Sequence, residues 1–361
     1  MTSASASPPT AQFRVAVSTP ASLGLAAVGL LLLVGLVALP SVAERDLIQD
    51  LSFVFYMLAL AQCWNLLAGY AGLVSVGQQA FVGLGGYLLF ALTIFGNLDP
   101  LLAIVLAGVV AGLFAIPTGL VVFRFRGAYF AIGSWVVAEV YRLVFAQIKQ
   151  LGGGTGTSLP PSVSNGVAGI DWVKTLFDVR APAARDIITY WAALALAAGT
   201  LAVVYLLLRS RRGLALAAIR DQEATAESVG INTVRTKLAV YVLVAAMTGM
   251  IGALIYLQKA RISPDSAFAV LDWTAYVILI VVIGGIGTIE GPVVGVIVFY
   301  LLQRYLADYG TWYLILLGAI AIAVMLFAPQ GIWGSLQGRF RLALFPTQRR
   351  LERADVSGDR T

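Results

Sequence analysis

The side chains able to do chemistry are few, and most lie in apolar surroundings. Glu139 and Arg142 stand three residues apart within the apolar run Tyr129 to Ile148, a spacing that lets a carboxylate and a guanidinium pair on one helix face. Ionisable groups in such a run are expensive unless they pair or face a cavity. Two roles are therefore open: a structural ion pair near one mouth of a bundle, or a place on a polar path through it. Gln62, Asn65, Gln78 and Gln79 are uncharged groups of the same kind, suited either to lining a cavity or to bonding between helices. The chain has no His, and its single Cys, Cys63, sits inside an apolar run, so zinc sites, Ser-His-Asp triads and disulfides have no residues to form them. None of Lys149, Lys174, Lys237 and Lys259 follows a Gly, so the Gly-Lys-Ser/Thr loop that cradles phosphates is missing. The expectation is a chain that is not an enzyme and binds no metal or cofactor itself.

These groups need elements to position them, and composition says which. Hydrophobic residues make up 60% of the chain and charged ones 12%, outside the range of a soluble domain. The fold expected is an all-α polytopic membrane protein. Apolar runs predict about ten crossings: Leu23 to Leu39, Leu47 to Ala68, a segment ending near Phe95, Leu101 to Phe123, Tyr129 to Ile148, Ile187 to Leu208, Leu238 to Leu257, Trp273 to Gly285, Pro292 to Leu306 and Trp312 to Phe327. Ser41-Val-Ala43 offers a small-residue cleavage pattern, but the run before it is longer than a signal peptide's, and a retained span is expected. Residues 1–21 are expected to be a disordered leader, 22–335 the membrane domain with a large loop at 149–186, and 336–361 a basic tail. With the N-terminus inside, Arg124, Arg126, the 209–237 loop and the tail share the inner face, as the positive-inside rule requires, so both termini are expected in the cytoplasm.

Two of the spans are interrupted by glycines, at 69–87 and 284–295. Each Gly weakens a helix by about 1 kcal/mol relative to Ala, and a bend is predicted between Ser75 and Gln79. Unwound backbone at corresponding places in the two halves of a chain marks many transporter sites, offering N–H groups to a carboxylate and C=O groups to an ammonium. Gly284, Gly285 and Gly287, with Ser75 and Tyr87, join the candidate path on that ground. Close helix packing is the alternative use of such glycines, as in the pairs Gly108/Gly112 and Gly291/Gly295.

One long polar stretch, 209–237, separates two apolar runs. From Leu214 to Val229 it has helical periodicity, with Leu214, Ala217, Ala218, Asp221, Thr225 and Ser228 near one face and Leu216, Ile219, Glu223 and Ala226 near another. Gly230 stands where a left-handed residue would end the helix, and Asn232 follows as a new start signal. A helix lying flat on the lipid headgroups is one reading of this pattern, and a docking helix for a partner is the other.

Ala218-Ile-Arg220-Asp-Gln-Glu223-Ala-Thr-Ala226-Glu227-Ser-Val-Gly230-Ile resembles the cytoplasmic coupling segment in permease subunits of branched-chain amino-acid ABC importers. Ser75-Val-Gly77-Gln78-Gln79-Ala-Phe81-Val-Gly83-Leu-Gly85-Gly86-Tyr87 resembles the Ser-Leu-Gly-[His/Gln]-x-x-Phe-x-Gly-x-Gly-x-Tyr signature of the same family. Gly127-Ala-Tyr-Phe130, Glu139-Val-Tyr-Arg142, Gly152-Gly-Gly154-Thr-Gly156, Ile262-Ser263-Pro264 and Gly284-Gly-Ile-Gly287-Thr-Ile-Glu-Gly291-Pro292 are similar too, so the likeness spans roughly 45–335. The chain departs from the family pattern at Gly152 to Thr157, where an acidic residue more often follows the Gly-Gly-Ser or Gly-Gly-Thr step. The resemblance implies a permease in the bacterial inner membrane, working with a second permease, two ATPase subunits that bind the ATP, and a periplasmic substrate-binding protein. It implies that Arg220, Glu223, Ala226, Glu227 and Gly230 couple the chain to an ATPase, with Ala226 small so that the partner approaches closely. Branched-chain or related neutral amino acids are the substrates implied, with urea and amides as the alternative. An ion-coupled secondary transporter is less well supported, since it wants carboxylates inside spans and only Glu139 is clearly one.

Overall fold

The computed structural model describes residues 13–16, 20–306, 309–340 and 350–353. The short strand β1 (Phe13–Ala16) is followed by α1 (Pro20–Ala38), α2 (Arg45–Asn65), α3 (Gln79–Ile94), α4 (Pro100–Val122) and α5 (Ala128–Ala146). Strand β2 (Thr157–Ser158) and the short helices α6 (Pro161–Ser164) and α7 (Ile170–Phe177) precede the long α8 (Ala181–Arg209). Next come α9 (Arg211–Asp221), α10 (Glu223–Ser228) and α11 (Thr233–Lys259), then β3 (Arg261–Ile262), α12 (Pro264–Ala267), α13 (Tyr276–Gly284), α14 (Gly291–Leu306), α15 (Thr311–Phe327), α16 (Gly331–Phe340) and β4 (Arg350–Arg353). Two antiparallel pairs, β1 with β4 and β2 with β3, are the only sheets among the described residues.

Each apolar run of the sequence is a helix in the structure, as lipid demands of a backbone that must satisfy its own hydrogen bonds. Among the described residues, seven helices are long and apolar enough to cross a membrane: Arg45–Tyr70, Pro100–Val122, Ala128–Ala146, Ala181–Arg209, Thr233–Lys259, Pro264–Gly284 and Trp312–Gly338. Val28–Ser41, Gln79–Ile94 and Gly291–Leu306 are shorter apolar helices.

Long α11 lies at the centre, packed on α3 and α4. A Cβ on Gly112 would stand 3.2 Å from the Ala246 methyl, and one on Gly249 2.5 Å from that of Ala111, so small residues set the α4–α11 approach. Side chains bind the helix ends at the face that carries 149–186. Arg45 Nε donates to the buried Asp186 at 2.6 Å, Gln49 Nε2 to the same carboxylate at 2.8 Å, and Asp50 pairs with Arg304 and Tyr300.

The expected boundaries need four corrections. The first is α8, which begins at Ala181, inside the expected 149–186 loop; the buried Asp186 is satisfied by α2, so the helix can continue through polar residues. The second is the membrane segment expected from Trp273, which begins at Pro264 and passes a π-helical turn at Leu271–Ala275. The third is the single helix expected over Leu214 to Val229, which breaks at Gln222, whose φ of −160° and ψ of 105° are extended. The fourth is α16, which runs into the expected tail. Most of the expected leader, and residues 341–349 and 354–361 of that tail, lie outside the described residues.

Candidate functional site

The first interruption is a stretch of backbone that leaves helix geometry inside the bundle. Helix α2 runs on through a π-helical turn, Leu66–Tyr70, and the chain from Gly72 to Gln78 is unwound before α3 starts. Such backbone is tolerated at membrane depth only where protein or a cavity satisfies it, and here side chains do so. Trp64 Nε1 donates to Ser75 O at 2.7 Å, Gln78 Nε2 to Leu60 O at 2.9 Å, and Val76 N to Ser134 Oγ at 2.9 Å. Gln79 N donates to Thr274 Oγ1 at 3.3 Å, and the Thr274 hydroxyl donates in turn to Gln79 Oε1. Ser75, Gln78 and Gln79 are thus brought together and buried. Sequence reasoning missed Trp64, Ser134 and Thr274; for the last two, the signal was a polar side chain in an otherwise apolar helix.

The second interruption follows α13. Gly285 and Gly287 take φ of +129° and +76°, a region that favours Gly. The loop they open is gripped by α2. Gly287 N donates to Asn65 Oδ1 at 2.8 Å, Asn65 Nδ2 to Thr288 O at 2.8 Å, and Gln62 Nε2 to Ile289 O at 2.6 Å. A Cβ on Gly69 would stand 2.6 Å from Gly287 N, so the two glycine-rich interruptions meet backbone to backbone. Gly284 packs against Gly291, and Gly285 against Gly331 and Gln330. These contacts are close packing of main chain.

The surface helices α9 and α10 close over this joint. Ser210 caps α9 by accepting from Arg212 N at 3.2 Å. At its far end Arg220 Nη1 donates to Gly69 O at 3.0 Å, while Nε and Nη2 reach Asp221 at 3.3 Å. An open cavity of about 290 Å³ beside α9 is lined by Tyr70, Leu214, Ala217, Arg220, Thr288 and Glu290 among others. Helix α10 ends as its sequence predicts. Gly230 has φ +87°, its N–H donates to Glu227 O at 2.9 Å and Ile231 N to Ala226 O at 3.1 Å, the paired bonds of a Schellman cap. Asn232 Oδ1 then accepts from Arg235 N and starts α11.

The two faces read from the periodicity are observed for most of their residues, while Ala218 and Glu223, expected on opposite faces, are both half-buried. Leu216, Ile219 and Ala226 are buried against the bundle, whereas Leu214, Ala217, Asp221, Thr225 and Ser228 are exposed. Ala226 therefore faces inward, and its small size serves packing within the chain, where an approach by a partner was expected. Glu223 pairs with Lys237 at 2.7 Å and Glu227 accepts from Thr233 Oγ1 at 2.7 Å; both brace α10 against α11.

Glu139 and Arg142 form the expected pair, with Oε1 accepting from Nη2 at 2.5 Å and from Nε at 2.8 Å. A third member was not foreseen: Arg142 Nη1 donates to Asp265 Oδ1 at 2.8 Å, just after the Ile262-Ser263-Pro264 turn. Tyr87 is elsewhere in the bundle, fully buried, stacked on Phe145 at 4.7 Å and on Phe268 at 6.0 Å, with its hydroxyl unbonded. The candidate path residues thus fall into separate groups: the unwound stretch, the joint at Gly287, the aromatic stack and the ion cluster. Among the described residues no group of side chains is arranged to hold a metal ion.

A bundle of apolar helices interrupted by buried unwound backbone, with short surface helices clasped to the interruptions, is the architecture of a polytopic membrane protein. Residues 47–328 match the family described as branched-chain amino acid transport system / permease component, and the chain belongs to that family. It is 28% identical over 312 residues to the high-affinity branched-chain amino acid transport system permease protein LivM of Salmonella typhimurium, covering 83% of this chain and 73% of that one. Against LivM of Escherichia coli K12 the identity is 27% with the same coverage. No solved structure matches the chain.

Proposed function

We propose that this chain is one membrane subunit of an ABC importer for branched-chain or related neutral amino acids in a bacterial inner membrane, with the basic end of the bundle in the cytoplasm. It works with a second permease, two ATPase subunits and a periplasmic binding protein. The relatives named LivM support the substrate class, and the absence of a phosphate loop supports separate ATPases. The observation that carries the reading is the hydrogen bond from Arg220 to Gly69 O. Through it, the amphipathic pair α9–α10 is attached to the place where both interrupted spans meet, so a partner that moves these helices moves the two breaks together.

The exposed side chains Ala217 and Thr225 belong to the docking face, and Arg220, Glu223, Glu227 and Gly230 hold that face in shape from behind. The test is reconstitution of the five-component assembly in liposomes, with ATP hydrolysis and leucine uptake followed together. Ala217→Arg and Thr225→Arg are expected to leave the chain inserted but to cut uptake at least tenfold, with the ATPases lost or indifferent to substrate. Uptake by the chain alone, or undiminished coupled uptake in both variants, would overturn the reading.

A further inference from the structure

Two guanidiniums at one end of the bundle stand where helix electrostatics opposes them. Arg212 lies in the first turn of α9 and Arg235 in the first turn of α11, and a helix carries partial positive charge at that end, so an anion is favoured there and a cation is not. Neither side chain has a hydrogen-bond or ion-pair partner among the described residues, whereas Lys237, close by on α11, pairs with Glu223 at 2.7 Å. Both arginines are exposed, and both line one cavity of about 630 Å³. Away from them the cavity turns apolar. Its wall on α11 is formed by Ala239, Val242, Leu243 and Ala246, at the spacing of one helix face, and Leu207, near the end of α8, adds a wall from a second helix. Helix α11 is long and apolar enough to cross a membrane from Thr233 onward, so its first turn lies at a membrane surface. From Arg235 to Ala246 it rises about 17 Å at about 1.5 Å per residue, against about 15 Å for the hydrocarbon of one leaflet. The groove is thus positive at its mouth and apolar for the depth of a leaflet.

We infer that this groove holds an anionic glycerophospholipid, with its phosphate between Arg212 and Arg235 and one acyl chain along residues 239–246. Charge selects the headgroup. Two unpaired guanidiniums at two helix N-termini leave the mouth positive, and a phosphodiester of net negative charge answers that, whereas a zwitterionic lipid brings a cation of its own to the site. Shape selects a lipid over a soluble anion or a partner's loop, since either would fill the mouth and leave the apolar length of the groove empty. An apolar helix of a neighbouring chain would do the reverse, covering the wall and leaving the guanidiniums unanswered. Bound in this way, the lipid bridges the start of α9 to the start of α11 and holds the polar segment between them against the membrane. The inference needs only that the chain spans a membrane, and it holds whatever solute is carried.

Photolabelling in liposomes tests the site with two lipid probes that share one diazirine-bearing acyl chain, a phosphatidylglycerol and a phosphatidylcholine. The full chain is purified with the subunits that accompany it and reconstituted with a trace of either probe. After irradiation, adducts on the peptide containing residues 239–246 are expected to be about tenfold more abundant with the phosphatidylglycerol probe, and adducts on α15 equal for the two. Arg212→Gln combined with Arg235→Gln should bring the probes level at the groove. Arg212→Lys combined with Arg235→Lys should restore most of the preference, which separates a lost charge from a folding defect. Ala239→Phe fills the groove, leaves both arginines in place and should abolish the preference as well. Equal labelling by the two probes in the wild type, or a preference that survives the Gln pair, would overturn the proposal. So would a preference that survives Ala239→Phe, since phosphate would then be held without a seated tail, and so would a groove peptide labelled by neither probe, since a protein segment would then cover the wall.

Discussion

Asn65 holds the main chain of the second interruption with both ends of its amide: Oδ1 accepts from Gly287 N and Nδ2 donates to Thr288 O, each at 2.8 Å, across 222 and 223 residues of sequence. The amide is fully buried. Asn65→Leu removes both bonds and leaves a half-buried donor and a half-buried acceptor of the loop unpaired, together costing about 1–3 kcal/mol. The detergent-solubilised variant is expected to unfold several degrees below the wild type. Asn65→Asp keeps the acceptor but sets a carboxylate oxygen against Thr288 O, and should also be destabilised. Unfolding at the wild-type temperature in both variants would show that the clamp contributes little.

Gly69→Ala tests the contact of the two interruptions directly. Its Cβ would stand 2.6 Å from Gly287 N and 2.5 Å from Asn65 Oδ1, and backbone cannot rotate aside as a flexible side chain can. A loss of about 1–3 kcal/mol from overpacking is expected, together with lost uptake. Gly154→Ala is the control, since nothing lies within 4 Å of the added methyl. Equal melting temperatures for the two variants would contradict the contact.

The three-membered ion cluster predicts an order of severity that a simple pair does not. Glu139→Gln leaves Arg142 bonded to Asp265, whereas Arg142→Gln strands two carboxylates. All three groups are partly exposed, so each effect on stability of the isolated chain is about 1 kcal/mol or less. In the assembled transporter Arg142→Gln should reduce uptake most, and Arg142→Gln combined with Glu139→Gln should recover part of the loss. Uptake assays on the single and double variants check this; strictly additive losses would mean that the residues act separately.

Gly230→Val acts through backbone strain, because φ is +87° and no atom lies within 4 Å of the added Cβ. A left-handed conformation costs an L-residue about 1–2 kcal/mol, more for a β-branched one, whereas Asn tolerates it. Gly230→Val is expected to insert normally and lose coupled uptake, and Gly230→Asn to retain most of it. Ala226→Arg should behave differently from a surface change, lowering the yield of folded chain, since Ala226 is buried. Expression and uptake of the three variants, measured side by side, separate strain from crowding.

Tyr87→Phe removes a buried hydroxyl that makes no hydrogen bond and leaves the stack on Phe145 and Phe268 intact. Stability should be equal to or slightly above that of the wild type. A large fall in uptake at unchanged stability would place the hydroxyl on the solute path, and an unchanged uptake would assign the ring to packing.

What the sequence determined by itself is everything that depends on near neighbours. Apolar runs became helices because lipid leaves the backbone no other partner. The two faces of 214–229, the Gly230 cap, the Asn232 start and the Glu139–Arg142 pair are all set by spacings of a few residues, which the helical repeat converts into geometry. The tertiary structure decided which of those faces meet. Periodicity placed Ala226 on a face but did not say that the face turns inward, and glycine content marked two interruptions without showing that Gly69 lies on Gly287. Asp265 joined Arg142, and Trp64, Ser134 and Thr274 came to satisfy the unwound stretch, only because distant helices pack side by side. The break at Gln222 has the same origin: local propensity favours one helix through 214–229, but Arg220 reaching Gly69 and Glu223 reaching Lys237 hold its two halves in different directions. Contacts between segments so far apart in sequence follow from how whole helices pack, and no local pattern encodes them.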